Sequence, residues 1–368
     1  MNPPERMNYR DAGVLSNQEL GLDALLRWIR PTETFRAGKS MGRSLLDVGY
    51  FANVIDIGHD LGLAMSTDGV GTKILVAEML NRYDTIGIDC VAMNVNDVIC
   101  VGAEPVAMLD YIAIERATPE VLGAIGRGLH EGARQAGVSI VGGEISQIKE
   151  MIRGLRDGSG LDLVGMCIGV VPAGKVNVGQ AVAPGDSIVG LRSTGLHGNG
   201  YTLARHALFE KGGMRPEQRP SQLGRSIGEE LLEPTRIYVP EVMDLLAQAL
   251  PIKALANITG DGLLNLTRIK PAVGFRIDAL PEPQPIFGLI QQMGQIADEE
   301  MYRVFNMGIG FCVIAPSDRG VLEAIHDTAR RHGVESFVLG QVIEDPRRRV
   351  HLTQKRLVGR EDRFTATG

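Results

Sequence analysis

The run Ser66-Thr67-Asp68-Gly69-Val70-Gly71-Thr72-Lys73 constrains this chain more than any other stretch. An apolar lead, residues 61–65, reads as a strand, and residues 74–80 carry a helical pattern. Between them lie one carboxylate, two glycines, a hydroxyl and a lysine. A strand, a glycine turn and a helix in that order suit a polyphosphate and metal site. Gly69 and Gly71 let backbone N–H groups approach phosphate oxygens, Lys73 adds a point charge, and Asp68 can hold Mg²⁺. Neither the Walker spacing G-x-x-x-x-G-K-[ST] nor a Rossmann G-x-G-x-x-G is present. The plainer alternative is a tight strand-to-helix turn with a surface lysine.

Elsewhere helical and strand patterns mix without strict alternation. Helical periodicity covers residues 20–29, 85–100 and 119–136, the last opened by Thr118-Pro119 and closed by Gly137. Strand patterns cover residues 51–57, 106–114, 138–141, 161–171, 187–192, 274–277 and 308–315. This predicts an α+β fold: two domains of mixed sheets packed by helices rather than one doubly wound sheet. The Gly-, Pro- and Ala-rich stretch 172–186 marks the boundary, giving domains 1–172 and 173–368. The helix over 85–100 has unusual polar members: Asp89 and Asn96 share a face, and Asn94 and Asp97 lie three apart.

Length and charge narrow the classes. The chain of 368 residues can bury two cores, and its net charge of −6 argues against nucleic acid or an anionic membrane as a general partner. No apolar run reaches a membrane span, and the start MNPPERMNYRD lacks the core of a signal peptide. Its 4 cysteines form no C-x-x-C pair and lie in apolar runs, which fits free thiols in a reducing compartment. The expected location is cytoplasmic.

Three acids sit beside glycine-rich ends: Asp68, Asp97 and Glu144, the last after the Gly142-Gly143 turn. Carboxylates from separate segments can converge on one Mg²⁺ and its phosphates, with Gly142 and Gly143 offering amides. A solvated helix face for Asp97 and a turn carboxylate for Glu144 are the alternatives. His197 lies in the loop Ser193-Thr194-Gly195-Leu196-His197-Gly198-Asn199-Gly200, where it can donate to phosphate or act as general acid or base, or be an exposed loop histidine. A second glycine turn, Asn257-Ile258-Thr259-Gly260-Asp261-Gly262, can hold an anion or merely cap a helix. No H-E-x-x-H occurs.

These pieces, taken in order, resemble the phosphoribosylformylglycinamidine cyclo-ligases, or aminoimidazole ribonucleotide synthetases. The resemblance begins at Tyr9-Arg10-Asp11-Ala12-Gly13-Val14 and the Ser66 to Lys73 run. It continues through Asp84-Thr85-Ile86-Gly87-Ile88-Asp89, Val95-Asn96-Asp97, Gly102-Ala103-Glu104-Pro105, Leu109-Asp110-Tyr111 and Val141-Gly142-Gly143-Glu144. In the second half it takes in His197-Gly198-Asn199-Gly200-Tyr201, Thr235-Arg236-Ile237-Tyr238, the Asn257 turn and Glu300-Met301-Tyr302-Arg303-Val304-Phe305-Asn306-Met307-Gly308-Ile309-Gly310. The wider superfamily includes selenide–water dikinase and thiamine-monophosphate kinase.

The resemblance implies a homodimer paired through N-terminal strands in a barrel-like core, with ATP near the interface and a small ribonucleotide as substrate. Asp68, Asp97 and Glu144 would match the metal- and phosphate-facing acids. Gly69, Gly71, Thr72 and Lys73 would match the nucleotide loop, with Asp68, Lys73 and His197 as catalytic candidates. His197 and Asn199 would lie near substrate, with Thr259 and Gly260 beside them. The implied reaction is ATP-dependent closure of formylglycinamidine ribonucleotide to aminoimidazole ribonucleotide, releasing ADP and phosphate. Two stretches depart from the family: Asn257 and Gly260-Asp261-Gly262 stand where many members have histidine and three glycines, and Ile145-Ser146-Gln147-Ile148-Lys149-Glu150-Met151 replaces the usual residues after Glu144. Asn257 and Asp261 keep two rivals in play: another phosphotransferase of the superfamily, and a silent nucleotide-binding scaffold.

Overall fold

A computed structural model describes residues 18–367. The motif Tyr9 to Val14 lies outside the described residues. The first half contains α1 (Gln18–Ile29), β1 (Arg43–Ser44), β2 (Asn53–Asp56), β3 (Leu61–Gly69), α2 (Lys73–Leu80) and α3 (Ile86–Cys100). It continues with β4 (Glu104–Ile114), α4 (Pro119–Ala136), β5 (Ser139–Gln147) and β6 (Leu161–Pro172). These strands form one sheet in the order β1-β2-β3-β6-β4-β5. Its neighbours are antiparallel except β4 and β5, which run parallel because α4 carries the chain back between them.

The second half holds β7 (Ser187–Arg192), α5 (Tyr201–Arg205), α6 (Ile227–Leu231), α7 (Val239–Ala247), β8 (Ala254–Asn257) and β9 (Gly274–Ile277). Then come α8 (Pro285–Gly294), α9 (Asp298–Val304), β10 (Ile309–Ala315), α10 (Arg319–Arg331), β11 (Ser336–Ile343), β12 (Val350–Leu352), β13 (Leu357–Arg360) and β14 (Arg363–Ala366). Their sheet has the order β14-β13-β12-β9-β11-β7-β10-β8. Every residue of β10 is buried, which is why its sequence is a continuous apolar run rather than an alternating one. Two domains of mixed sheets and helices result, the α+β plan expected from the pattern. Among the described residues no helix is long and apolar enough to cross a membrane.

Local chemistry sets the ends of α4. The Thr118 hydroxyl accepts from the Val121 N–H at 3.3 Å, Pro119 occupies the first turn, and Gly137 closes the helix with a φ of 68°.

One helix joins the halves. Asp89, Asn96 and Asp97 of α3 meet residues 233–238 and β8. Asn96 donates from Nδ2 to the Arg236 carbonyl at 2.8 Å and accepts from the Tyr238 N–H at 2.9 Å. Asp89 accepts from the Thr235 N–H at 2.7 Å and the Thr235 hydroxyl at 2.6 Å. Asp97 accepts from Asn257 Nδ2 at 2.8 Å. The shared face of Asp89 and Asn96 anticipated from their spacing is thus the seam between the domains.

Two elements differ from expectation. The β3 strand does not stop at residue 65: it pairs with β6 as far as Asp68 opposite Gly165 and Gly69 opposite Val164. Likewise β5 continues through Gly142 and Gly143 to Gln147, paired with β4. The glycines there make no turn. A side chain at Gly143 would place its Cβ 1.9 Å from Asp110 Oδ1, so glycine leaves room for an aspartate on the neighbouring strand.

Candidate active site

The end of β3 and the start of α2 face the loop before α5. Gly71, at φ 65°, turns the chain out of the strand, and the Thr72 hydroxyl lies 3.1 Å from the Thr202 hydroxyl across the seam. Gly198 lets the loop approach α3, since a Cβ there would lie 2.8 Å from Met93 Sδ. The same loop carries Asn199 to the Asn257 turn: a Cβ on Gly260 would be 3.3 Å from Asn199 Oδ1. Thr259 is fixed by Asn265, whose Oδ1 accepts from the Thr259 N–H at 2.7 Å and its hydroxyl at 3.3 Å. Thr72 thus meets Thr202 of the second domain, and Asn199 approaches the Thr259-Gly260 turn. Asp261 is offset by Arg268 at 3.3 Å, so the carboxylate beside the turn is neutralised.

The acids separate into two groups. Asp68 is exposed at the strand end, and its Oδ1 accepts from the Gly69 N–H at 2.8 Å. Partial desolvation raises its pKa, and that hydrogen bond opposes the shift. Burial also raises Asp97, to about 7; the Asn257 amide lowers it, and the charge of Asp68 adds to the rise. Glu144 does not join them. It is exposed on the edge strand β5, its Oε1 taking the Ile145 N–H at 3.0 Å. Three strand spacings separate β3 from β5, about 14 Å at the usual interstrand distance. Among the described residues no three His, Cys, Asp or Glu side chains gather as a metal-binding group.

Asp110, quoted in a motif but given no role from the sequence, occupies the gap. Asp68, Gly165, Asp110 and Gly143 lie in one row across β3, β6, β4 and β5. Burial raises the Asp110 carboxyl. Its signal was a single carboxylate inside the otherwise apolar strand 106–114.

Three expectations need correction. Lys73 is no loop cation: it is fully buried, and Nζ donates to Asp89 Oδ1 at 2.8 Å, the Glu233 carbonyl at 2.6 Å and the His197 carbonyl at 3.4 Å. Burial pushes the lysine pKa down and that of Asp89 up, while each charge opposes the other's shift. The two further bonds from Thr235 favour the Asp89 anion, and the buried Lys73–Asp89 pair ties the domains together. His197 is 3% exposed rather than a loop-tip residue, and its Nε2 accepts from the Thr194 N–H at 3.1 Å. Burial, with Lys73 and Arg236 nearby, lowers its pKa to about 3. The Thr194 contact fixes the ring in the loop, and the low pKa favours the neutral imidazole, whose Nδ1 then carries the N–H. Gly142 and Gly143 are strand residues, as above, and Gly142 borders Leu109 rather than a phosphate turn.

A family model for the AIR synthase related protein N-terminal domain matches residues 49–171, and one for the C-terminal domain matches residues 183–353. A phosphoribosylformylglycinamidine cyclo-ligase from Methanococcus maripaludis strain C5 is 42% identical over 336 residues, covering 91% of this chain and 92% of the relative. The chain belongs to the phosphoribosylformylglycinamidine cyclo-ligase family. The homologue of that name from Methanothermobacter thermautotrophicus is 51% identical over 271 residues, covering 73% of this chain and 78% of the relative. Solved structures share the fold at lower identity. The hydrogenase maturation protein HypE in complex with ATP aligns with a TM-score of 0.57 at 18% identity, over 97% of this chain and 96% of that one. Thiamine-monophosphate kinase from Stenotrophomonas maltophilia aligns at 0.58 and 20%, over 90% and 96%.

Proposed function

We propose that this protein is the ATP-dependent cyclo-ligase that closes formylglycinamidine ribonucleotide to aminoimidazole ribonucleotide. The observation that carries the reading is family membership along nearly the whole chain. The formyl oxygen attacks the γ-phosphorus of ATP and ADP leaves. The amidine nitrogen then attacks the activated carbon, phosphate departs with the former amide oxygen, and loss of a proton gives the aromatic imidazole. Phosphorylation turns a poor leaving group into a good one, so the protein's work is positioning and charge neutralisation.

Mg²⁺ takes one or two carboxylates with phosphate oxygens. Asp68 and Asp97, two hard-oxygen donors, fit it; Mg²⁺ there would neutralise phosphate charge. Glu144 is too far along the sheet to complete that pair within one chain. In this reading Gly69, Gly71 and Thr72 border the nucleotide, while Asn199, Thr259 and Gly260 hold the ribonucleotide. Lys73 and His197 support these loops from beneath.

The reading includes the domain division 1–172 and 173–368, and a homodimer. Leu109 and Tyr111, which share one face of β4, are exposed, an apolar patch that a second copy would cover.

The test is phosphate release from ATP and Mg²⁺, with and without formylglycinamidine ribonucleotide, for the natural protein and Asp68→Asn. Release that needs the ribonucleotide and falls at least about 100-fold in the variant supports the reading. Unstimulated ATP turnover would move it to another acceptor.

A further inference from the structure

The first turn of α3 borders a cavity that the proposed reaction does not use. It has a volume of about 240 Å³, below the size that suits a drug-like ligand. Arg82, Thr85, Arg219, Arg225, Glu229 and Glu233 dominate its lining. Three guanidinium groups and two carboxylates line it, and Asp84 and Glu230 pair with two of those arginines, so unused N–H donors rather than net charge are what the lining offers an anion.

The carboxylates are already engaged. Glu229 Oε2 pairs with Arg219 at 3.0 Å and also accepts from the Ser226 N–H. Glu233 pairs with Arg225, which holds Glu230 as well. The arginines keep spare capacity. Arg82 uses only Nε, toward Asp84 at 3.0 Å, and Arg219 uses only Nη2, toward Glu229. A guanidinium offers five N–H groups in a planar fork, so most of theirs remain for an anion.

Thr85 supplies the independent sign. It immediately precedes the 15-residue helix α3, yet its side chain makes no capping bond. The residue is 5% exposed, and its buried hydroxyl has no hydrogen-bond partner among the described residues. A buried hydroxyl without a partner is costly, and the unpaired N–H groups of a helix start favour negative charge.

We propose that this cavity is a second anion site, taking a phosphate dianion either free or as a small phosphomonoester. It is separate from Asp97. Thr85 and Asp97 lie twelve residues apart on one helix, about 18 Å along its axis. It is also wired to the seam: the Glu233 side chain faces the cavity arginine, while its carbonyl accepts from Lys73 at 2.6 Å.

The experiment is calorimetric titration of the full chain with inorganic phosphate and, separately, ribose 5-phosphate, both with the nucleotide site saturated by a non-hydrolysable ATP analogue. The natural protein, Arg82→Gln, Arg219→Gln and Thr85→Val are compared. Both arginines are largely exposed, so these variants retain the fold. Saturable binding is expected, weakened about tenfold by either arginine change and severalfold by Thr85→Val. Tighter binding of ribose 5-phosphate than of phosphate assigns the monoester; equal binding assigns the free ion. Absence of saturable binding, or equal affinity in all four proteins, overturns the proposal.

Discussion

Lys73 shows how an isolated residue can mislead. A lysine after a glycine turn matches a phosphate-binding pattern, but the turn of α2 rotates Nζ inward to Asp89, where neither charge meets water. Removing one member of such a pair leaves the other uncompensated, so Lys73→Met should cost about 3–5 kcal/mol by chemical denaturation. Pairing it with Asp89→Leu should restore most of that loss, because the remaining buried charge is gone too. His197 gives a pH signature. Its folded pKa of about 3 lies below the unfolded value of about 6.5, so the unfolded chain binds more protons between them. The histidine's share of stability is complete above about pH 6.5 and declines as pH falls toward 3, by about 1.4 kcal/mol per unit. His197→Gln should flatten that part of the profile, read from melting between pH 4 and 7. A rate profile for the reaction should show no His197 titration near neutrality.

Elements were more legible than side-chain directions. Period and capping chemistry located α3, α4, β6, β7 and β10 closely, because long apolar patterns and a Thr-Pro start carry their own signals. The ends of β3 and β5 were misread. Glycine beside an acid looks like a turn in sequence, and only the neighbouring strand shows that Gly143 is making space for Asp110. Gly143→Ala should therefore disturb the β4–β5 pairing directly, lowering stability by about 1–3 kcal/mol. Hydrogen exchange should show the loosening in residues 139–147 first. The cap on α4 predicts a smaller effect: Thr118→Ala should cost about 1 kcal/mol in a denaturant titration.

For the whole molecule, the ordered set of motifs exposed the family while leaving the assembly of its site obscure. Asp68, Asp97, Asn199 and Thr259 come from four separated stretches, and which of them meet depends on how the halves dock. Spacing could say that Asp89 and Asn96 share a face; it could not say that residues 233–238 would cover it. Asn96→Ala removes a bond in each direction across the seam and should cost about 2–3 kcal/mol, with unfolding still a single transition. Two separate transitions in calorimetry would contradict a seam of this strength.

The α3 seam also bears on modularity. Residues 173–186 look like a place to divide the gene, since each side has its own sheet and its own family model. Division there would strand Lys73 and Asp89 without the Thr235 and Glu233 groups that complete their shell, and would bare the amide of Asn96. Each fragment made alone would carry polar groups shaped for an absent neighbour. Inheritance of this chain as one unit follows from that mutual dependence, and circular permutants opened elsewhere on the surface should be tolerated better than a clean split at the linker.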